Sequence, residues 1–109
     1  ILCERVRAIL TGRDQKLRDF YDLYMLEKAR LKVEDYAEEI ARKLKPVLRY
    51  KRYREALERN RKRVDVSLES MADSYELFLF VKQPDREKFR DFLARTSRKL
   101  REIMERIRA

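Results

Sequence analysis

The sequence predicts an all-α fold, a compact bundle of about five helices in a single domain. The chain of 109 residues has one glycine and two prolines, which favours long helices joined by short connections. Apolar residues make up 44% of the sequence and recur at spacings of three and four residues, as helices with one buried face require. Charged residues make up 45%, but the periodic apolar positions argue against a disordered chain.

The first two predicted helices cover residues 1 to 11 and about 16 to 30, and the short loop between them favours an antiparallel pair. Gly12 is the expected C-cap of the first helix and Asp14 the N-cap of the second. The second helix is apolar over more than half of its circumference, through Leu17, Phe20, Tyr21, Leu23, Tyr24 and Met25. Its narrow charged strip should therefore lie between helices or face a second domain, with its charges paired.

Two more helices have clear apolar faces. One begins near Val33, has Glu34 and Asp35 at its positive end, and ends at Pro46, with a face of Val33, Tyr36, Ala37, Ile40, Ala41 and Leu44. The last helix begins after its N-cap Asp85. Its apolar face contains Phe89, Phe92, Leu93, Leu100, Ile103, Met104 and Ile107.

The region between these helices is basic at first and ambiguous afterwards. Residues 47–64 predict a helix with a narrow apolar stripe of Tyr50, Tyr53, Leu57 and Val64, on which both tyrosines should pack into the core. Residues 70–82 can be a helix, started by a capping box of Ser70 and Asp73, or a buried strand over 75–81. We predict a helix there, because a single strand has no obvious partner.

The composition excludes several classes of chemistry. The chain has no histidine and one cysteine, so histidine-based catalysis, histidine metal sites and thiolate zinc sites are excluded for this chain. A lone Cys3 cannot form an intrachain disulfide, which makes a reducing, cytoplasmic location the default expectation. The longest apolar run, residues 77–81, is too short to span a membrane.

Two motifs occupy the first quarter of the chain. One is ILCERVRAILT over residues 1–11, and the other is Arg18-Asp19-x-x-Asp22-Leu23-Tyr24. Together they resemble the two C-terminal motifs of AbiEii-type nucleotidyltransferases, the toxins of abortive-infection and type IV toxin–antitoxin systems. The family pattern is roughly L-A-E-K-L-x-A-L, a short loop, then K/R-x-R-D-x-x-D-L-Y. Arg5 stands where the family has lysine, which keeps the charge but changes the donor geometry.

The resemblance implies that the complete protein transfers a nucleoside monophosphate from an NTP, with Mg²⁺, to an acceptor such as tRNA. By position, Asp19 would be the catalytic residue that orients or polarises a group near the phosphates, and Arg5 would meet a nucleotide phosphate. Lys16, Arg18 and Asp22 would support the nucleotide site. The family's Gly-Ser and Asp-x-Asp motifs are missing. We therefore expect this chain to be the C-terminal part of a longer enzyme, with no Mg²⁺ bound to it alone; a cognate antitoxin is another implied partner.

The spacing of the same charges also has a simpler interpretation. Arg18 and Asp22 are four positions apart and can pair along one helix face, with a second bridge to a neighbouring helix, and this needs no function. The spacing alone favours that interpretation, and the resemblance favours the functional one.

The basic stretch predicts a surface for nucleic acid. Residues 49–63 contain eight basic and two acidic side chains, a net charge of +6 out of +9 for the whole chain. Such clusters displace counterions from phosphates. The candidate contacts are Arg49, Lys51, Arg52, Arg59, Lys62 and Arg63. The alternative is a charged surface that is merely solvated.

Two other functions remain open at this stage. The chain can be a stand-alone basic helical module that binds nucleic acid without catalysis, in which case binding should depend steeply on salt. It can also be a helical protein-interaction module. A membrane partner is not expected, because the basic helix lacks the bulky apolar face of an interfacial helix.

Overall fold

The computed structural model describes residues 2–12, 17–72 and 83–108, with side chains in the same ranges except 63–72. Over these residues the chain forms five α-helices and no strand. The helices are α1 (Leu2–Thr11), α2 (Leu17–Lys28), α3 (Ala37–Leu44), α4 (Lys51–Ala72) and α5 (Arg86–Arg108). Two 3-10 turns precede α3 and α4, at Val33–Tyr36 and Lys45–Arg49. The predicted all-α bundle of about five helices is confirmed.

The longest described helix, α5, lies at the centre of the bundle and contacts α1, α2, α3 and α4. Its position follows from its long apolar face, which buries every residue that the periodicity predicts. The predicted N-cap is also confirmed, because the Oδ1 atom of Asp85 accepts a hydrogen bond of 3.0 Å from the Lys88 N–H. This cap satisfies a backbone donor that has no partner within the helix.

Helix α2 buries Leu17, Phe20, Leu23 and Tyr24 in the same core. The Tyr24 ring meets the rings of Phe89 and Phe92 edge to face, with 5.3 and 5.2 Å between centres. Burial raises the pKa of the Tyr24 phenol above its ordinary value.

The chain leaves α2 through a left-handed residue. Arg30 has a φ of 68°. The Leu31 N–H donates to the Leu26 carbonyl and the Arg30 N–H to the Glu27 carbonyl, both at 2.9 Å. These are the two hydrogen bonds of a Schellman motif, in which glycine usually takes the left-handed position. Here arginine takes it, at a steric cost that glycine would avoid.

Asn60 joins the end of α1 to α4, and sequence reasoning missed it. Its side chain is fully buried. The Nδ2 atom lies 3.2, 2.9 and 2.8 Å from the carbonyl oxygens of Ile9, Leu10 and Gly12. The last carbonyls of a helix have no partner within it, so this amide acts as a C-cap from another helix. The signal available in the sequence was an amide between the apolar positions 57 and 64.

Asn60 also explains why the prediction for Gly12 is only half right. Gly12 directly follows α1, as expected of a C-cap glycine, but no described glycine has a positive φ. A left-handed glycine would have turned backbone N–H groups towards the final carbonyls of α1. The Asn60 side chain donates to the carbonyls of Ile9 and Leu10 instead.

Arg95 holds α2, α5 and the first 3-10 turn together. Its Nη1 and Nη2 atoms lie 2.7 and 2.9 Å from the two carboxylate oxygens of Glu27, and Nη1 also lies 3.1 Å from Glu34. The hydrogen bonds to Glu27 raise the pKa of the Arg95 guanidinium, against the opposing effect of burial. Glu34 lies in the first turn of this helical segment, as predicted, and also pairs with Arg95 of α5.

Several predicted boundaries and buried positions differ from the structure. Residues 33–44 form a 3-10 turn and then α3, and this change of pitch leaves Tyr36, predicted on the apolar face, 38% exposed. The basic helix starts at Lys51 and continues to Ala72. The predicted helix start at Ser70 is therefore wrong, because Ser70 lies inside α4. The rest of that prediction, residues 73–82, lies outside the described residues.

None of the described helices combines the length and the apolar character needed to cross a membrane.

Candidate nucleotide and nucleic-acid surfaces

The two motifs of the first quarter of the chain meet along one edge of the α1–α2 pair. Val6 and Phe20 are buried, so the apolar parts of both motifs lie in the core. Arg5 and Asp22 lie at the rim of this contact and form an ion pair, with 3.1 Å between Nη1 and Oδ2. The Arg5 side chain is 47% exposed and that of Asp22 is 26% exposed. For Asp22, the expected pairing of the charged strip is thus found between two helices.

The other predicted residues of this face have different surroundings. Asp19 is half-buried and precedes Asp22 by three positions, which places the two carboxylates on the same face of α2. Arg18 is exposed, so only part of the charged strip lies between helices. Lys16 lies outside the described residues. We call Arg5, Asp19 and Asp22 the α1–α2 charged face.

The chemistry of this face suits a phosphate. A partly exposed ion pair is worth only about 0–1 kcal/mol, so Arg5 can change partner at small cost. Its planar guanidinium can donate two parallel hydrogen bonds to phosphate oxygens. Within the described ranges, no group of three or more acidic or cysteine side chains is arranged to hold a metal.

The second candidate is the basic surface, which we define as Arg49, Lys51, Arg52, Arg54, Arg59 and Lys62. All six side chains are exposed. Arg52 and Arg59 are seven positions apart and so share one side of α4, two turns from each other. Lys51 pairs with Glu55 at 3.8 Å, a contact between two exposed groups that contributes little. The side chain of Arg63 lies outside the described residues.

One arginine of the same stretch is engaged inside the protein. The Nη2 atom of Arg61 lies 3.3 Å from Oε2 of Glu58, and its Nη1 atom lies 3.3 Å from Oε1 of Glu105. Arg108 also contacts Glu58. Partial burial would raise the pKa of Glu58, but Arg108 and Arg61 together lower it below its ordinary value. These ion pairs join α4 to the end of α5, so Arg61 contributes to the fold and not to the basic surface.

The tyrosines of this stretch do not pack as predicted. Tyr50 is 51% exposed and Tyr53 is half-buried, whereas the buried side chains between residues 51 and 62 of α4 are Ala56, Leu57 and Asn60. The reason is the 3-10 turn before α4. Because the turn ends at Arg49, Tyr50 precedes the first residue of α4 and lies off its apolar stripe.

Arginines cover part of both tyrosine rings. The guanidinium carbon of Arg49 is 5.2 Å from the centre of the Tyr50 ring, and that of Arg52 is 4.7 Å from the centre of the Tyr53 ring. Arg52 also donates a hydrogen bond of 2.9 Å to the Tyr53 hydroxyl. The two rings meet edge to face with 6.0 Å between centres. We call these four residues the Arg–Tyr cluster.

Comparison with protein families, curated proteins and solved structures finds no match for this chain.

Proposed function

We propose that this chain is the helical part of an AbiEii-like nucleotidyltransferase. In this proposal the α1–α2 charged face supports the nucleotide, and the basic surface holds a nucleic-acid acceptor such as tRNA. The observation that supports it is the Arg5–Asp22 ion pair. Two motif residues that are seventeen positions apart in sequence meet at 3.1 Å, with Arg5 accessible to a ligand. The resemblance supplies the reaction, and the ion pair gives the matching residues a common location.

The roles follow from charge and exposure. Arg5 would bind a phosphate of the NTP, and Asp22 would hold the Arg5 guanidinium in position until the phosphate arrives. Asp19, on the same face as Asp22, would accept a hydrogen bond from the nucleotide or the acceptor and so orient the reacting group. Arg18, which is exposed, and Lys16 would add positive charge around the phosphates.

The test is nucleotide transfer by the full-length protein. Labelled NTPs, Mg²⁺ and a pool of tRNA would be incubated with wild type, Asp19→Asn and a control, Asp91→Asn, which alters an exposed carboxylate of α5. We expect a loss of about 100-fold or more in Asp19→Asn and no change in the control. Thermal unfolding of each variant would exclude a loss of fold.

Two results would contradict the proposal at different levels. Equal transfer by wild type and Asp19→Asn would remove Asp19 from the site. If the wild-type full-length protein transferred no nucleotide from any NTP, the proposed nucleotidyltransferase activity would itself be contradicted.

A second candidate function, nucleic-acid binding without catalysis, is favoured by the basic surface alone. Its six exposed cations include Arg59 and Lys62, which lie one turn apart on α4. The affinity for tRNA should then fall steeply between about 50 and 200 mM salt, with no transfer of nucleotide. A flat salt dependence would contradict this function.

A further inference from the structure

Tyr50 occupies a position at which its side chain cannot cap the helix that follows. Its backbone is extended, with φ −89° and ψ 125°, and its carbonyl accepts hydrogen bonds from the N–H groups of Tyr53 and Arg54 at 3.1 and 3.2 Å. Tyr50 is therefore the N-cap of α4. Serine, threonine, aspartate and asparagine stabilise this position because a short side-chain oxygen reaches the first N–H groups. A tyrosine with a half-exposed ring has no such effect, and its presence calls for another explanation.

The backbone that carries the Tyr50 ring is held by a neighbour. The Nη1 atom of Arg54 donates hydrogen bonds to the carbonyl oxygens of Leu48 and Arg49, at 2.8 and 3.1 Å. These bonds fix the end of the 3-10 turn against the first turn of α4. The Arg–Tyr cluster is thus pre-organised, which reduces the entropy that a ligand must overcome when it binds.

The charged residues of the segment that carries the cluster are all basic. Residues 45–54 contain five basic side chains and no acidic one. Exposed aromatic rings between cations are the features with which proteins bind unpaired nucleotides, since bases stack on rings while cations contact phosphates. A membrane surface fits less well, because an interfacial helix needs a broad apolar face. The large hydrophobic side chains exposed in the described part of the chain are Tyr36 and Tyr50.

We propose that the Arg–Tyr cluster binds unpaired nucleotides of a single-stranded nucleic acid. A base stacks on the exposed part of the Tyr50 ring, and Arg49, Lys51 and Arg52 contact the adjacent phosphates. This inference rests on the proposed binding of nucleic acid to the basic surface, and it specifies the substrate class as a strand with accessible bases. A duplex keeps its bases stacked on each other and would contact only the cations.

The test measures binding of the full-length protein to two fluorescent RNA probes by anisotropy. One probe is a single strand of about 12 nucleotides, and the other is the same sequence as a duplex. The informative variant is Tyr50→Ser, because serine is a good N-cap and should preserve α4 while removing the ring. We expect this variant to bind the single strand about 5- to 150-fold more weakly, the equivalent of one lost base–aromatic stack, and the duplex unchanged.

Two further variants serve as controls. Tyr50→Phe keeps the ring and should bind the single strand within about 2-fold of wild type, since stacking does not need the hydroxyl. Tyr36→Ser removes the other exposed tyrosine, which lies beside Glu39 in a groove of mixed charge, and should leave both affinities unchanged. Circular dichroism and thermal unfolding of all variants would verify the fold.

The outcomes separate this inference from the proposed function. If Tyr50→Ser binds both probes as wild type does, or loses affinity for both equally, stacking on Tyr50 is refuted while electrostatic binding to the basic surface stands. If wild type binds neither probe at about 50 mM salt, the inference and the proposed acceptor surface both fail. A loss of affinity in Tyr36→Ser as large as in Tyr50→Ser would also refute a specific role for the cluster.

Discussion

Replacing Asn60 with aspartate tests the contact that fixes α1 against α4. The substitution keeps the shape of the side chain but exchanges the Nδ2 donor for an oxygen. That atom lies within 2.8–3.2 Å of three carbonyl oxygens at the end of α1, and the side chain is fully buried. An ionised carboxylate at this place would face only acceptors on that side, without the water that stabilises its charge.

The magnitude follows from the number of donors and from the pKa. The amide has two N–H donors, and each hydrogen bond is worth about 1 kcal/mol. At about pH 4 the introduced carboxyl is neutral and keeps one donor, so the variant should lose about 1–2 kcal/mol of stability. At pH 7 it must either ionise beside these carbonyl oxygens or stay protonated. Holding a group of unfolded pKa near 3.9 neutral at pH 7 costs up to about 4 kcal/mol more.

The sign of the pH dependence is fixed by the raised pKa. A carboxyl whose pKa is higher in the folded than in the unfolded state contributes no penalty below the unfolded pKa. Its penalty grows as the pH rises from about 4 towards the folded pKa. The difference in unfolding free energy between wild type and Asn60→Asp should therefore be small at about pH 4 and several times larger at pH 7.

Urea unfolding of the 109-residue chain, followed by the ellipticity of its helices, measures this difference at both pH values. Gln83→Glu is the matched control, because it makes the same chemical exchange on an exposed side chain and should change stability by less than about 0.5 kcal/mol. A loss of less than about 0.5 kcal/mol in Asn60→Asp at pH 7, or a loss that is equal at both pH values, would refute the capping role of Asn60.

Two further substitutions test the end of α2 and the Arg95 ion pairs. Arg30→Gly should stabilise the protein by about 1 kcal/mol and raise Tm by about 4–6 °C, because glycine adopts the φ of 68° without steric cost. An unchanged or lower Tm would show that the left-handed conformation of Arg30 is not strained. Arg95→Met should cost about 1–2 kcal/mol at pH 7, because it leaves Glu27 and Glu34 close together without their cation. Salt screens the repulsion between these two carboxylates, so the loss should shrink as the salt concentration rises, and a loss independent of salt in urea unfolding would contradict this explanation.

The parts of the fold that the sequence predicts are those that local spacing determines. The apolar face of α5 and the cap at Asp85 depend on residues three or four positions apart, and both are confirmed. Asn60 and Arg95 could not be predicted in the same way. Their partners are 48 to 68 positions away, and a local pattern carries no information about such contacts.

The two candidate sites also differ in whether local spacing predicts the exposure of their residues. The exposure of those residues of the basic surface that belong to α4 follows from the helical period, because they lie off the buried stripe of this helix. The exposure of Tyr50 depends on where α4 begins. Extending the helical spacing of α4 back to position 50 places the Tyr50 ring on the apolar stripe. In the structure the 3-10 turn runs to Arg49 and α4 begins at Lys51, so the spacing of α4 does not include Tyr50. A shift of a single boundary thus converts a predicted core residue into a surface ligand-binding candidate.

Arg49 and Arg52 differ from Arg61 and Arg95 in what they contact, and this difference favours a ligand for the Arg–Tyr cluster. Arg61 and Arg95 each bridge separate elements through carboxylates, so their charges are neutralised within the fold. Arg49 and Arg52 contact tyrosine rings, which stabilise a cation without cancelling its charge. A protein that used every arginine for stability would place carboxylates beside these two as well. Cations held in position with their charge intact are instead suited to a polyanion that arrives from outside.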